Sequence, residues 1–179
     1  MPEISEYIIV AEQEYEELFP RKGSIAFASP GLRRQDSVYN GLQKTASASE
    51  LILVHDSARP FIEKSAVYSL LEVAKKSPAA CLANPVKSTI RKAKANLSAG
   101  KALPREELWE MQTPQAVEKS LLIKGFQEAR KQHCTVTDDV ALAELVGGKP
   151  KLVPSSDVNM KITTPFDYLI AKKIYEKAL

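Results

Sequence analysis

The stretch Leu51-Ile52-Leu53-Val54-His55-Asp56-Ser57-Ala58-Arg59-Pro60 decides the architecture. An apolar run stops abruptly at an acid, and an arginine and a proline follow closely. A short apolar run closed by turn chemistry reads as a strand buried in a parallel sheet. In open α/β sheets, ligands collect beyond the carboxyl ends of such strands. Asp56 therefore stands where a metal-binding carboxylate would stand. Arg59 is within reach of the same crevice, and an arginine fork matches phosphate oxygens. The pattern points to a phosphorylated small molecule. A helix cap at Asp56 and a surface ion pair at Arg59 fit the local residues equally well.

Working outward, strands and helices alternate. Tyr7 to Ala11 and Ile25 to Ala28 read as strands, and Gln35 to Gln43 as a helix with Val38 and Leu42 on one side. Glu63 to Lys76 is an amphipathic helix, with Val67, Leu70, Leu71 and Ala74 on one face and lysines at its end. Ala79 to Ala83 is a small-residue strand ending at Asn84-Pro85. Between Pro85 and Pro114 the chain turns polar, with a Ser98-Ala99-Gly100 turn between two plausible strands. That character predicts a protruding β-arm within about residues 86–112. Helices return at Glu118 to Arg130 and at Asp138 to Val146, the second stopped by Gly147-Gly148. Lys151 to Pro154 reads as a strand and Asp157 to Lys161 as a brief extended piece. Pro165 to Ala178 closes the chain as a helix capped by Thr164. The alternation predicts a three-layer α/β/α sandwich with a mostly parallel sheet.

At 179 residues the chain fits a single domain, residues 1–179, large enough to bury a core. A net charge of +3 with both signs interspersed argues weakly for anionic ligands and against a nucleic-acid coat. Cys81 and Cys134 lack metal-ligand spacing and suit two reduced thiols of a cytoplasmic protein. No apolar stretch approaches the roughly 18 residues that a membrane span needs. Pro2-Glu3-Ile4-Ser5-Glu6 does not read as a signal peptide.

Polar clusters fall at element ends. Pro30-Gly31-Leu32-Arg33-Arg34-Gln35-Asp36-Ser37 lies between a strand and a helix, where Gly31 admits a flat ligand and Ser37 offers a hydroxyl. An ordinary loop with a capping residue fits it equally. Lys87-Ser88-Thr89-Ile90-Arg91-Lys92 and Arg105 place cations in the arm, where a solvated face is the plainer reading. Thr135-Val136-Thr137-Asp138-Asp139 suits helix capping. Lys161, in Asn159-Met160-Lys161-Ile162-Thr163, could neutralise charge developing on a phosphate. One carboxylate, several cations, threonines and a Gly-containing loop fit phosphoryl or nucleotidyl transfer, where positioning and charge stabilisation do most of the catalysis.

In combination these pieces resemble the 2-C-methyl-D-erythritol 4-phosphate cytidylyltransferase family of non-mevalonate isoprenoid biosynthesis. The resemblance rests on Gly31 to Gly41, His55 to Pro60, Trp109 to Gln115, Thr137-Asp138-Asp139 and Asn159 to Thr163, in that order. Its most specific parts are the His-Asp-x-Ala-Arg-Pro stretch and Thr113-Pro114-Gln115. It implies a Rossmann-like sheet of the nucleotide-diphospho-sugar transferase type. It also implies a nucleotidyltransferase that joins CTP to methylerythritol phosphate with Mg²⁺ and releases pyrophosphate. Asp56 would hold the metal and the nucleotide, and Gly31, Ser37 and the Ser57 backbone would meet the cytosine. Arg59, Thr137 and Lys161 would bind the substrate phosphates, with Lys161 and Asp56 catalytic. The arm would interlock a homodimer and carry Thr89 and Arg105 into the partner's site.

The resemblance also implies a first strand and a Gly-rich triphosphate loop that residues 1–179 do not contain. The expectation is an N-terminally truncated domain that leaves Ile8 and Val54 uncovered, at roughly 25 cal/mol per Å² of apolar area, and that is by itself a poor catalyst. A ribitol-phosphate cytidylyltransferase and a non-catalytic binding or dimerisation module are the competing readings.

Overall fold

A strand made of alanines can carry helices on both faces at close range, and β4 does so. The computed structural model describes residues 1, 3–20 and 24–178. In chain order it contains β1 (Tyr7–Val10), β2 (Ile25–Ala28), α1 (Arg34–Leu42), β3 (Leu51–Val54), α2 (Lys64–Ala74) and β4 (Ala79–Pro85). There follow β5 (Arg91–Ala93), β6 (Ala99–Ala102), β7 (Trp109–Glu118), α3 (Lys119–Lys131), α4 (Asp139–Glu144), β8 (Lys151–Pro154) and α5 (Pro165–Ala178). Ala79, Ala80, Cys81, Leu82 and Ala83 of β4 are all 0% exposed, so this strand is the middle of the molecule.

The main sheet runs β3-β7-β4-β8. On one face Leu42, Cys81, Val117, Leu122, Phe126 and Leu142 join α1, α3 and α4 to the sheet. On the other, Leu70 of α2 packs with Ala80, Leu82, Ala116 and Val153. Each fully buried leucine or phenylalanine contributes about 1.5–3 kcal/mol, so the three expected layers follow from the pattern of apolar faces.

In the sheet expected to be mostly parallel, β3, β4 and β8 run the same way and β7 alone is reversed. β7 runs antiparallel to both β3 and β4, while β4 pairs in parallel with β8. Reading Pro85 to Pro114 as one excursion hid the start of β7, because Pro114 argues against a central strand. The chain accommodates it with a bulge: Cys81 faces Gln115 and Ala83 faces Met111, which leaves Gln112, Thr113 and Pro114 opposite Leu82 alone. The arm reduces to the antiparallel pair β5–β6, with Arg91 opposite Ala102. The extended piece expected at Asp157 to Lys161 is a turn followed by irregular chain. α4 ends earlier than Val146, and Gly147, at φ 84°, takes the left-handed conformation that releases the chain. At α5, Thr164 caps as expected, its hydroxyl accepting from the Asp167 N–H at 3.2 Å.

β1 and β2 form a separate parallel pair. α1 ties it to the main sheet: Gly41 backs onto Val10 while Val38 and Tyr39 pack beside Ile52 and the core. Glu6 accepts hydrogen bonds from the Ser49 hydroxyl and the Ala46 N–H, fastening the start of β1 near the start of β3. β1 and β3 both line a cleft of about 1060 Å³, with Ile8 and Val54 half-buried along it.

Helices α3 and α4 meet at Gly125, where an added Cβ would fall 2.3 Å from the Leu142 carbonyl oxygen. Helix propensity favours Gly125→Ala by about 1 kcal/mol, but a backbone clash of this kind costs about 1–3 kcal/mol or more. Urea unfolding should show a net loss of stability; an unchanged or higher midpoint would contradict this packing.

Candidate functional site

The strand-end carboxylate is bracketed by two cations. Asp56, two residues past β3, accepts from Arg34 Nε on Oδ1 at 2.9 Å and from Lys161 Nζ on Oδ2 at 2.8 Å. Arg34 opens α1, and its two terminal nitrogens grip Asp139 at 3.1 and 2.7 Å. Asp139 opens α4 behind the cap Asp138, whose carboxylate accepts from the Ala141 N–H. Three elements therefore meet at one guanidinium. Arg34, Ser37, Asp56, Ser57 and Lys161 all line the end of the cleft between β1 and β3.

The electrostatics follow burial and pairing. Burial pushes the Asp56 carboxyl up, but Lys161 and Arg34 together outweigh it and hold the group below the usual carboxylate range. Asp139 lies deeper; burial raises its carboxyl even against the pull of Arg34. Burial opposes the charge on Arg34, and the two carboxylates more than restore it.

The bulge of β7 holds this arrangement from behind. The Thr113 hydroxyl accepts from the Asp56 N–H at 2.9 Å and lies 3.1 Å from His55 Nδ1. Donation to Nδ1 leaves Nε2–H to meet the Arg59 carbonyl oxygen at 3.0 Å, so the network assigns one tautomer. Gln115 accepts from the N–H groups of Asp139 and Val140 at 2.8 and 3.0 Å, which seats the start of α4. Asn159 donates to Gln112 Oε1 and to the Thr113 carbonyl, which seats the turn before Lys161.

Of the residues singled out in the sequence, Asp56 and Lys161 touch directly, and Ser37 and Ser57 share their cleft. Gly31 donates its N–H to the Ser37 hydroxyl at 2.9 Å. A side chain on Gly31 would strike Asp36, with Cβ atoms 2.4 Å apart. Arg59, expected on a substrate phosphate, does not line the cleft. It is 7% exposed and donates to the carbonyls of Asn159 at 2.7 Å and Met111 at 3.4 Å. Its fork braces the loop rather than facing the cleft. Thr137, Thr89 and Arg105 are exposed and do not line the cleft; Arg105 donates to the Lys87 carbonyl.

Arg34, Asp139, Thr113, Gln115 and Asn159 were not among the site residues read from the sequence. The cue for Arg34 was its place between Gly31 and the helix start, which Arg33 shares. Asp139 was hidden in the stretch Thr135 to Asp139, which reads as helix capping. Among the described residues no group of three or more His, Cys, Asp or Glu gathers to hold a metal.

The sequence and its fold have counterparts among known proteins. A sequence profile described as 2-C-methyl-D-erythritol 4-phosphate cytidylyltransferase matches residues 2–177. The chain belongs to that cytidylyltransferase family. It is 42% identical over 181 residues to the chloroplastic 2-C-methyl-D-erythritol 4-phosphate cytidylyltransferase of Oryza sativa, covering 97% of this chain and 60% of the rice protein. It is 39% identical to the Halalkalibacterium halodurans cytidylyltransferase, covering 93% of this chain and 75% of that one. The crystal structure of the Thermus thermophilus cytidylyltransferase superposes with a TM-score of 0.84 at 31% identity, over 97% of this chain and 83% of that one. The 4-diphosphocytidyl-2C-methyl-D-erythritol synthase of Anaerococcus prevotii gives 0.90 at 27% identity, over 98% and 83%. The cytidylyltransferase α/β fold is thus the fold of this chain.

Thr113→Val removes the hydroxyl shared by Asp56 and His55 while keeping the side-chain shape. Leaving a buried N–H without its partner costs about 1–3 kcal/mol, and urea unfolding should register that loss. A midpoint equal to wild type would show that the hydroxyl does not brace the loop.

Proposed function

We propose that this chain carries out the family's reaction, joining CTP to 2-C-methyl-D-erythritol 4-phosphate in isoprenoid biosynthesis. An oxygen of the sugar phosphate attacks the α-phosphorus of CTP. The bond from that phosphorus to the bridging oxygen breaks, and pyrophosphate leaves with the electron pair. The observation that carries this reading is the Lys161–Asp56–Arg34 cluster at the end of the cleft beyond β3. Among the described residues Lys161 makes one ion pair, and its side chain is 39% exposed, so it can turn toward a phosphate. There it neutralises charge that grows as the phosphorus becomes five-coordinate, and Asp56 orients it. Ser37 and Ser57 line the cleft and Gly31 donates its N–H to the Ser37 hydroxyl, which supports a role for Ser37, Gly31 and the Ser57 backbone at the cytosine. Thr137 is reserved for the sugar phosphate, and Arg59 serves the site by bracing its loop.

Asp56 is a hard oxygen donor whose Oδ2 is shared only with the more exposed Lys161. Asp56 would therefore be the residue to hold a Mg²⁺ ion, a hard cation that takes oxygen ligands. When bound, Mg²⁺ would offset phosphate charge as a Lewis acid. The exposed β5–β6 pair supports a homodimer in which Thr89 and Arg105 reach the second copy's cleft. The two free cysteines fit a reducing, cytoplasmic setting.

Lys161→Ala and Asp56→Ala should each lower pyrophosphate release from CTP and methylerythritol phosphate by about 10²–10³-fold. Asp56→Ala should also abolish the rise in Tm produced by CTP with Mg²⁺. Retained turnover in either variant, or an unchanged thermal shift, would contradict the assignment. Mixing Arg105→Ala with Asp56→Ala subunits should restore activity by reuniting both residues at one site. No recovery would sink the shared arm.

A further inference from the structure

Lys161 and Arg34 hold the two oxygens of Asp56 on very different terms. Lys161 reaches Oδ2 with one contact from a side chain that is 39% exposed. Arg34 reaches Oδ1 with Nε while both terminal nitrogens are locked on Asp139, whose side chain is 2% exposed. Asp139 is in turn seated by Gln115, which accepts from its N–H at 2.8 Å. The fork geometry of a guanidinium allows this three-point bridge, and a lysine could not reproduce it.

We propose that Arg34 and Asp139 are a positioning pair for the reaction. Asp139 touches no substrate; it fixes the guanidinium, the guanidinium fixes Asp56 Oδ1, and Oδ2 is left aimed at Lys161. Of the two cations on Asp56, Arg34 is the permanent one and Lys161 the exchangeable one. The chemistry served rests on the cytidylyltransferase reading above. The positioning itself rests only on these contacts.

Two measurements separate the claims. In the first, the lysines of the whole chain are reductively methylated with ¹³C, and the Lys161 signal is identified by its loss in Lys161→Arg. Asp56→Asn then defines the shift of that signal when the Asp56 contact goes. Asp139→Asn should move it at least half as far, although Asp139 does not touch Lys161, and Arg34→Lys should do the same. Should Asp139→Asn fail to fold, Arg34→Lys alone decides. A Lys161 signal unmoved in the folded variants would reduce the pair to a local structural clamp and overturn the proposal.

The second measurement is steady-state kinetics. Arg34→Lys and Asp139→Asn should each lower kcat about 10–100-fold with KM for CTP within about threefold, and the double variant should be no slower than the slower single one. Losses that multiply, or that fall on KM alone, would refute positioning. A wild-type chain with no turnover would count against the proposed function, while the lysine signal would still decide the positioning.

Discussion

Three residues of β7, Gln112 to Pro114, stand opposite the single residue Leu82, and the site hangs on that mismatch. An antiparallel pair can absorb extra residues only by bulging, and a bulge re-aims the side chains around it. Here it delivers Gln112, Thr113 and Gln115 to the turn before Lys161, the loop after β3 and the start of α4. Each of these amide or hydroxyl groups is buried and engaged. Polar groups so buried are costly unless partnered, so the strand that makes the core also fixes the loops above it.

Above the bulge the charges form a chain of decreasing burial: Asp139, then Asp56, then Arg34 and Lys161 at the cleft. The deepest pair has the least freedom. Asp139 holds both terminal nitrogens of Arg34, whereas Lys161 has its one ion pair to Asp56, so Arg34 is the more firmly anchored cation. Lys161 remains the member able to change partners. A rigid carboxylate beside a mobile cation suits nucleotidyl transfer, where charge must be met as it develops.

Much of this was legible in the sequence because burial writes itself into local pattern. The abrupt end of Leu51–Val54 located Asp56, and the run of mostly small residues at Ala79–Ala83 marked a strand. β7 was not legible as a strand, since Pro114 and its polar neighbours carry turn chemistry that only the bulge reconciles with a sheet. Arg34 was hidden by Arg33, which has the same charge but turns outward to Asp36 and Thr135. The partners of Arg59 were hidden for a related reason: which carbonyls its fork meets depends on contacts a hundred residues away in the chain.

CTP is proposed to sit at the end of the cleft beside Asp56. Backbone amide NMR during a titration with CTP and Mg²⁺ tests it most directly. Shifts should concentrate at Gly31, Arg34, Ser37, Asp56, Ser57 and Lys161, with β8, which does not line the cleft, unaffected. Shifts gathered away from Asp56, or none at saturating nucleotide, would contradict it.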